Sequence, residues 1–336
     1  MRSHIRPALL AVLAALALLL ASCGDDDGGV AASGDATAPE TTGADQTADG
    51  EATGDEGPFP VTVGSGGTEV TIEAEPEAIV SLSPTATEML FAIGAGDQVV
   101  AADEYSNFPP EAPTTDLSGF EPNVEAIIGH EPDLVVMAEA RADVVESLAA
   151  VDVPTLVLPA AATLDDTYAQ IEQLGAATGH VGEAVEVVAG MQSDIEELTA
   201  RVPERDAPLT YFHELDDTLY TVTSKTFLGE IYALAGLENV ADAADPEGEA
   251  GGYPQISPEL LVEADPDVVF LADAQYGQTA EAFGARPGFA ELRAVRQGNV
   301  VELEPDVPSR WGPRIVDFLE LVVEATADLE PAGAGA

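Results

Sequence analysis

Residues with reactive side chains are few in this sequence, and their spacing matches none of the common catalytic or metal sites. Cys23 is the single cysteine, and no Cys or His dyad is spaced for catalysis. Gly64-Ser65-Gly66 is not a nucleophile elbow, and no glycine-rich phosphate loop occurs. A zinc or manganese site needs several imidazoles and carboxylates around one ion, whereas His130, His180 and His213 stand in unrelated contexts. The sequence therefore favours a binding protein without a resident metal or cofactor over an enzyme.

Cys23 suggests a different chemistry. Arg2 and Arg6 precede an apolar run from Ala8 to Leu20, which has the pattern of a secretion signal and is short for a membrane span. Leu20-Ala21-Ser22-Cys23 then resembles the lipobox of bacterial lipoproteins, in which the cysteine thiol receives a diacylglyceryl group. The alternative is a free thiol behind an ordinary cleaved signal peptide. We expect lipidated Cys23 to anchor the chain to the outer face of the cell membrane.

The charge balance limits the possible partners. The chain has 62 acidic and 11 basic residues, with a formal charge of −51, and Lys225 is its one lysine. Such a surface repels nucleic acid and anionic membranes. Because salt screens charges over roughly 10 Å or less, the composition suits a saline habitat. From Gly24 to about Pro58 the sequence is acidic and lacks apolar periodicity, which indicates an extended tether.

From Phe59 onward, strand and helix patterns alternate, after a small hairpin around Gly64 to Gly67. Ser83-Pro84-Thr85 opens a helix in the first half, and Ser224-Lys225-Thr226 opens a similar one in the second. A largely helical stretch from Leu164 to Leu198, with a break at Gly179, separates the halves. The pattern predicts an α/β fold of two similar Rossmann-like lobes joined by one long rigid helix, with a ligand cleft between them. The expected organisation is a signal peptide at 1–22, lipidated Cys23 and an acidic tether at 23–58, an N-terminal lobe at 59–178, a linker helix at 179–202 and a C-terminal lobe at 203–331.

An ordered series of motifs carries a family resemblance. Ile79-Val80-Ser81-Leu82-Ser83-Pro84-Thr85-Ala86-Thr87-Glu88 is followed by Gly94-Ala95-Gly96 and by Tyr105-Ser106-Asn107-Phe108-Pro109-Pro110. This series resembles the helical-backbone periplasmic binding proteins, the receptors of ABC importers for vitamin B12, iron siderophores and haem. The resemblance covers roughly Phe59 to Leu329 and implies delivery of a small ligand to a permease dimer.

The resemblance also implies one docking glutamate on each lobe, which forms salt bridges with arginines of the permease. The matching positions are Glu88 and Glu259, the latter in Ile256-Ser257-Pro258-Glu259. Their alternative role is that of ordinary helix-start carboxylates, which the helix dipole favours, and Thr85 with Glu88 has the spacing of a capping box. Glu125 and Glu230, their counterparts in the internal repeat, have no implied docking role.

For the cleft, the resemblance is strongest to the vitamin-B12-binding type, whose pocket uses aromatic rings from both lobes and an Asp–Arg pair from a late loop. Flat aromatic faces bury much of a large planar ligand, and a few polar groups orient it. A tyrosine packed at a lobe edge and a surface ion pair are the alternatives. The implied ligand-binding residues are Tyr105, Phe120, Tyr253, Asp306, Arg310 and Trp311, with Tyr211 and His213 as further candidates for the cleft wall.

The sequence leaves the cargo open. Few arginines lie in the C-terminal lobe, which disfavours tris-catecholate siderophores and favours corrinoids or ferric hydroxamates. Haem is an alternative, because Tyr105 or His213 could ligate its iron. A second alternative is a ligand-sensing lipoprotein that docks on a signalling receptor or adhesin instead of a permease.

Overall fold

The computed structural model describes residues 58–332. The signal peptide, Cys23 and nearly all of the tether lie outside these residues. The strands are β1 Val61–Ser65, β2 Thr68–Ile72, β3 Ile79–Leu82, β4 Val99–Ala102, β5 Leu134–Met137, β6 Thr155–Val157, β7 Leu209–Glu214, β8 Leu237–Asn239, β9 Val268–Leu271 and β10 Val300–Glu302. The helices are α1 Pro84–Ala92, α2 Val124–Ile128, α3 Ala142–Ala149, α4 Leu164–Thr178, α5 Val181–Ala200, α6 Phe227–Leu234, α7 Pro258–Ala264, α8 Ala280–Gly284, α9 Arg293–Gln297 and α10 Ile315–Thr326.

The N-terminal lobe is built on a parallel sheet in the order β4-β3-β5-β6. β3 is buried along its whole length, as expected for a largely apolar strand in a sheet covered on both faces, and its one polar residue, Ser81, is hydrogen-bonded to Thr87. The predicted hairpin is confirmed as antiparallel β1 and β2, and the N–H of Gly66 donates to the carbonyl of Val157 at the end of β6. This bond holds the hairpin against the edge of the sheet.

The start of α1 confirms one sequence prediction and overturns another. Ser83 caps the helix, because its Oγ accepts from the N–H of Ala86, and Pro84 occupies the first turn. The predicted capping box between Thr85 and Glu88 is wrong. Thr85 lies inside the helix, two residues after the cap Ser83, and the Glu88 carboxylate binds arginines instead.

The C-terminal lobe repeats this design with a parallel sheet in the order β10-β9-β7-β8. The repeat extends to individual hydrogen bonds. The Asp133 carboxylate accepts from the N–H of Ala78 at 3.0 Å, just before β3, and the Asp267 carboxylate accepts from the N–H of Thr210 at 2.9 Å in β7. In return, each aspartate N–H donates to the carbonyl of Ala78 or of Thr210. The two lobes predicted from the internal repeat are therefore confirmed.

Two helices connect the lobes. α4 ends at Gly179, which has a left-handed backbone, and the 20-residue α5 then runs between the two sheets, with α10 packed beside it. The largest hydrophobic cluster contains residues of both lobes, such as Ile79 and Phe270, together with Met191 of α5. Within residues 58–332, no helix is both long enough and apolar enough to cross a membrane.

Candidate functional site

One loop follows the carboxyl end of β10 in the C-terminal lobe and contacts residues beyond the carboxyl end of β4 in the N-terminal lobe. This loop, called the late loop below, comprises residues 303–314 between β10 and α10. Its Asp306 carboxylate accepts from the Asn107 side-chain amide at 2.6 Å, and its Arg310 donates to the carbonyl of Tyr105 at 2.9 Å. Asn107 and Tyr105 follow the carboxyl end of β4. Because ligands of open parallel sheets bind outside the carboxyl ends of the strands, this junction is the candidate ligand cleft.

Tyr105 is positioned by a buried hydroxyl network. The Oγ1 of Thr87 in α1 lies 2.8 Å from the Oγ of Ser81 in β3 and 2.8 Å from the Oγ of Ser106. The carboxylate of Asp103 accepts from the Oγ of Ser106 and from the N–H of Tyr105. Burial raises the pKa of Asp103, against the lowering effect of these hydrogen bonds. The alternating Ser and Thr residues of the motif thus hold the loop that presents Tyr105.

Phe120 stands beside Tyr105. Their ring centroids are 5.9 Å apart in an edge-to-face arrangement. Gly119 makes this placement possible, because a Cβ there would lie 2.5 Å from the carbonyl oxygen of Leu82. Tyr105 is 53% and Phe120 69% exposed, so both rings present apolar surface to solvent at the edge of the N-terminal lobe.

Tyr253 belongs to a loop at the corresponding edge of the C-terminal lobe. The carbonyl of Pro254 accepts from the N–H of Thr221, which follows β7, and the Asp245 carboxylate accepts from the N–H groups of Ala250 and Gly252. These backbone hydrogen bonds, that of Ala250 foremost, lower the pKa of Asp245. The Tyr253 ring is 49% exposed. A rigid loop therefore presents a half-exposed aromatic ring.

The polar residues expected in the cleft are bound to the protein itself. Arg310 is 5% exposed and donates to the carboxylates of Asp306 and Glu88 as well as to Tyr105. The Nε1 of Trp311 donates to the side-chain carbonyl of Gln170 in α4 at 3.1 Å, and its ring packs on the main core. The late loop thus brings Asp306, Arg310 and Trp311 together, with Arg310 and Trp311 turned toward the N-terminal lobe.

Glu88 lies in a buried ion pair. Its Oε1 accepts from Arg310 at 2.6 Å and from Arg314 at 2.5 Å, and its Oε2 accepts from the Nε of Arg314 at 2.9 Å. The residue is 3% exposed, and Arg314 also lies over the ring of Phe108. The hydrogen bonds that Arg314 donates to Glu88 raise the pKa of Arg314 above its ordinary value. A surface cavity of about 200 Å³ adjoins the pair, floored by Phe91 and Phe108.

Glu259 has different surroundings. It is exposed in the first turn of α7, where Ser257 is the cap and Pro258 follows it. Among residues 58–332 it has no ion-pair partner. It borders a surface cavity of about 360 Å³ whose apolar wall includes Val262 and Pro287. Each implied docking glutamate therefore lies beside a depression, but only Glu259 presents a carboxylate without a cation beside it.

Tyr211 and His213 do not line the cleft, so that prediction is wrong. They are 1% and 0% exposed, because β7 is buried on both faces. The Nδ1 of His213 lies 2.7 Å from the Oη of Tyr232, and burial lowers the pKa of His213 to about 3.

The relatives of the chain fit this geometry. The family model described as periplasmic binding protein matches residues 79–307, more than half of the chain. The chain belongs to the periplasmic binding protein family.

An ABC transporter substrate-binding lipoprotein of Bacillus subtilis, YvrC, is 32% identical over 80% of this chain and 85% of its own length. A cobalamin-binding protein of Halobacterium salinarum is 31% identical over 80% of this chain and 74% of its own. The crystal structure of the periplasmic vitamin B12-binding protein BtuF of Vibrio cholerae superposes with a TM-score of 0.59 at 26% identity, over 74% of this chain and 96% of that one.

Sequence reasoning missed the second buried ion pair of this binding protein. Glu214, the last residue of β7, has a fully buried side chain and accepts from Arg286 through both oxygens, at 2.6 and 2.7 Å. The guanidinium lies 5.0 Å from the ring centroid of Phe283. Burial raises the pKa of Glu214 to about 7, although Arg286 opposes the shift. The two partners are 72 positions apart in the sequence, which explains why no local pattern revealed them.

Proposed function

We propose that this substrate-binding protein captures a corrinoid, or else a ferric siderophore, between its lobes and delivers it to the permease of an ABC importer. The observation that carries the proposal is the set of three exposed aromatic rings, Tyr105, Phe120 and Tyr253, at the carboxyl edges of the two sheets, with the late loop in contact with both lobes. Aromatic faces of this kind suit a large planar ligand, since each ring buries much apolar area without losing much side-chain freedom.

Charge supports a corrinoid over haem as the cargo. The chain carries a formal charge of −51, and the Asp306 carboxylate lies at the candidate cleft, where it binds Asn107 and Arg310. Haem has two propionate carboxylates, which this field repels, whereas the amide side chains of a corrinoid donate hydrogen bonds to carboxylates. The cobalamin-binding relative and the vitamin B12-binding protein BtuF, to which this chain is similar, support the same choice. With His213 buried, Tyr105 remains the candidate iron ligand if haem binds.

A thermal-shift titration tests the cargo. The full-length chain in detergent is titrated with cyanocobalamin, cobinamide, haem and a ferric hydroxamate, because a ligand that binds the folded state alone raises the melting temperature. We expect a corrinoid at 100 times its Kd to add about 2.7 kcal/mol to the free energy of unfolding. Tyr253→Ala should weaken corrinoid binding about tenfold or more, whereas Val185→Ala, at an exposed position of α5, is the control and should not. A shift with haem alone would overturn the corrinoid proposal.

Lipidated Cys23 is proposed to hold the protein at the outer face of the membrane, with residues 24–58 as tether, and Glu259 to dock on the permease dimer. The exposed carboxylate of Glu259 beside its apolar depression supports this role. The docking role that the resemblance implies for Glu88 conflicts with its burial and its ion pairs with Arg310 and Arg314. A lipoprotein that presents its ligand to a signalling receptor is the competing function. Cells that lack this protein should lose ligand uptake if the protein serves an importer. They should keep it if the protein is a sensor, because a sensor is dispensable for uptake.

Glu259→Lys should abolish most ligand uptake and leave the ligand Kd unchanged. The substitution replaces attraction for a permease arginine by repulsion, and Glu259 lies outside the candidate cleft. Uptake of labelled cyanocobalamin by cells and binding by the purified protein are the two measurements. Glu263→Lys, on the same helix and the same depression, is the matched control. Normal uptake by the Glu259 variant would remove this glutamate from the docking surface.

A further inference from the structure

Arg141 stands beside the candidate cleft at the edge of the N-terminal lobe. It follows the carboxyl end of β5, an inner strand of the sheet, and the residue is exposed. Its Nη1 donates to the carbonyl of Phe120, whose ring contacts that of Tyr105 edge to face. The guanidinium is therefore a neighbour of two of the three exposed rings on which the proposed ligand binding rests.

Three other arginines lie near the carboxyl ends of the strands, and each is neutralised within the chain. Arg286, Arg310 and Arg314 each form an ion pair with a buried glutamate. Arg141 forms no ion pair with any acidic side chain of residues 58–332. This difference matters in a chain with 62 acidic and 11 basic residues, where most cations have a carboxylate close by. The Arg141 charge is thus available to an anionic group of the cargo.

The geometry of a guanidinium suits a phosphate. The carbonyl of Phe120 takes one of the N–H donors of Arg141 and leaves the others, which can bind phosphate oxygens in a bidentate arrangement. Cyanocobalamin has one phosphodiester, in its nucleotide arm, whereas cobinamide lacks the nucleotide and its phosphate. One guanidinium matches that single negative charge, whereas haem has two propionates. A cation beside aromatic rings therefore fits a ligand with a large planar body and one anionic arm.

We propose that Arg141 binds the phosphodiester of a complete corrinoid, so that the protein prefers cobalamins to cobinamide. This inference rests on the corrinoid cargo proposed above. The rings of Tyr105 and Phe120 then bury the planar body, and Arg141 binds the charged arm at the same edge of the lobe. Because the negative field of the chain repels an isolated anion, the contact selects an anion that is attached to a body held by the rings.

A comparison of two ligands tests the contact. The Kd values of cyanocobalamin and dicyanocobinamide are measured at low salt on the full-length chain in detergent, for the wild type and for Arg141→Gln. We expect the substitution to weaken cyanocobalamin binding about tenfold and dicyanocobinamide binding by no more than about twofold, because the second ligand has no phosphate to lose. Arg141→Lys keeps the charge and should recover part of the cyanocobalamin affinity.

Arg296→Gln is the matched control. It removes the same charge from an exposed arginine of α9, which precedes β10 and so lies at the amino end of that strand, away from the carboxyl edges. This variant should change neither Kd. The melting temperature of ligand-free Arg141→Gln should stay close to that of the wild type, because the substituted residue is exposed.

The outcomes separate this inference from the proposed function. A loss confined to cyanocobalamin supports both. Equal weakening of the two ligands by Arg141→Gln would show that the arginine acts through the position of Phe120, and would overturn the phosphodiester contact while keeping the corrinoid cargo. Unchanged affinity for both ligands has the same meaning for the contact. If neither ligand binds the wild type, the corrinoid cargo is overturned and the contact with it.

Discussion

Arg286→Met is expected to lower the free energy of unfolding by about 3–5 kcal/mol at pH 8, the usual cost of leaving one partner of a buried ion pair unpaired. The Glu214 side chain has no exposed surface, and its two oxygens lose both hydrogen bonds from Arg286. The loss should be smaller at pH 5, because burial raises the pKa of Glu214 to about 7 and the carboxyl group is then largely neutral. Urea unfolding of the wild type and the variant at both pH values measures the difference.

A second substitution identifies the cause. Glu214→Gln in the Arg286→Met background should recover most of the lost stability, because a neutral amide replaces the buried charge. Arg201→Met, which breaks an ion pair with 46% of the arginine side chain exposed, should cost about 1 kcal/mol or less. Equal losses at positions 201 and 286 would show that the Glu214 pair is no more than an ordinary surface contact.

His213 is expected to make the protein sensitive to acid. Burial lowers its pKa to about 3 in the folded state, against about 6.5 in the unfolded chain. As the pH falls from 6.5 toward 3, the unfolded chain binds a proton that the folded protein does not, so the stability present above pH 6.5 is progressively lost. The contribution is on the order of 3 kcal/mol by pH 4, at about 1.4 kcal/mol for each pH unit.

His213→Gln separates this effect from the titration of the carboxylates. The glutamine amide does not titrate and can still hydrogen-bond to the Oη of Tyr232. The free energy of unfolding of the variant should therefore fall less steeply between pH 6.5 and 4 than that of the wild type. His130→Gln, at a partly exposed position after α2, is the matched control and should follow the wild type. Parallel stability curves for His213→Gln and the wild type would contradict the assignment.

Local chemistry made much of the fold predictable. Ser83-Pro84 and Ser257-Pro258 each supply a cap and a first-turn proline, so the starts of α1 and α7 follow from neighbouring residues. The length of α5 follows from an uninterrupted helical pattern bounded by Gly179. These features depend on contacts over a few residues, and the sequence contains them explicitly.

The arrangement of the site depends on distant contacts and was less predictable. Arg310 was singled out for a ligand, and nothing in its neighbourhood indicates that it binds Glu88, 222 residues earlier. Arg314 belongs to the Trp311-Gly312-Pro313-Arg314 segment, which the sequence analysis places near the cleft. Its partner, Glu88, depends on how the late loop crosses to α1. In β7, the alternation of Tyr211 and His213 resembles that of a strand with one polar face, although helices cover both faces.

The core that surrounds α5 makes the two lobes thermodynamically inseparable. One continuous hydrophobic cluster contains residues from both lobes and from the helices between them. Its members include Ile79 of β3, Met191 of α5, Tyr232 of α6 and Phe318 of α10. A cavity made in the first sheet therefore weakens the packing of a helix on which the second sheet also depends. Each lobe also has a smaller cluster of its own, around Val135 in the first and Val269 in the second, but because the largest cluster is shared we expect the two lobes to unfold together.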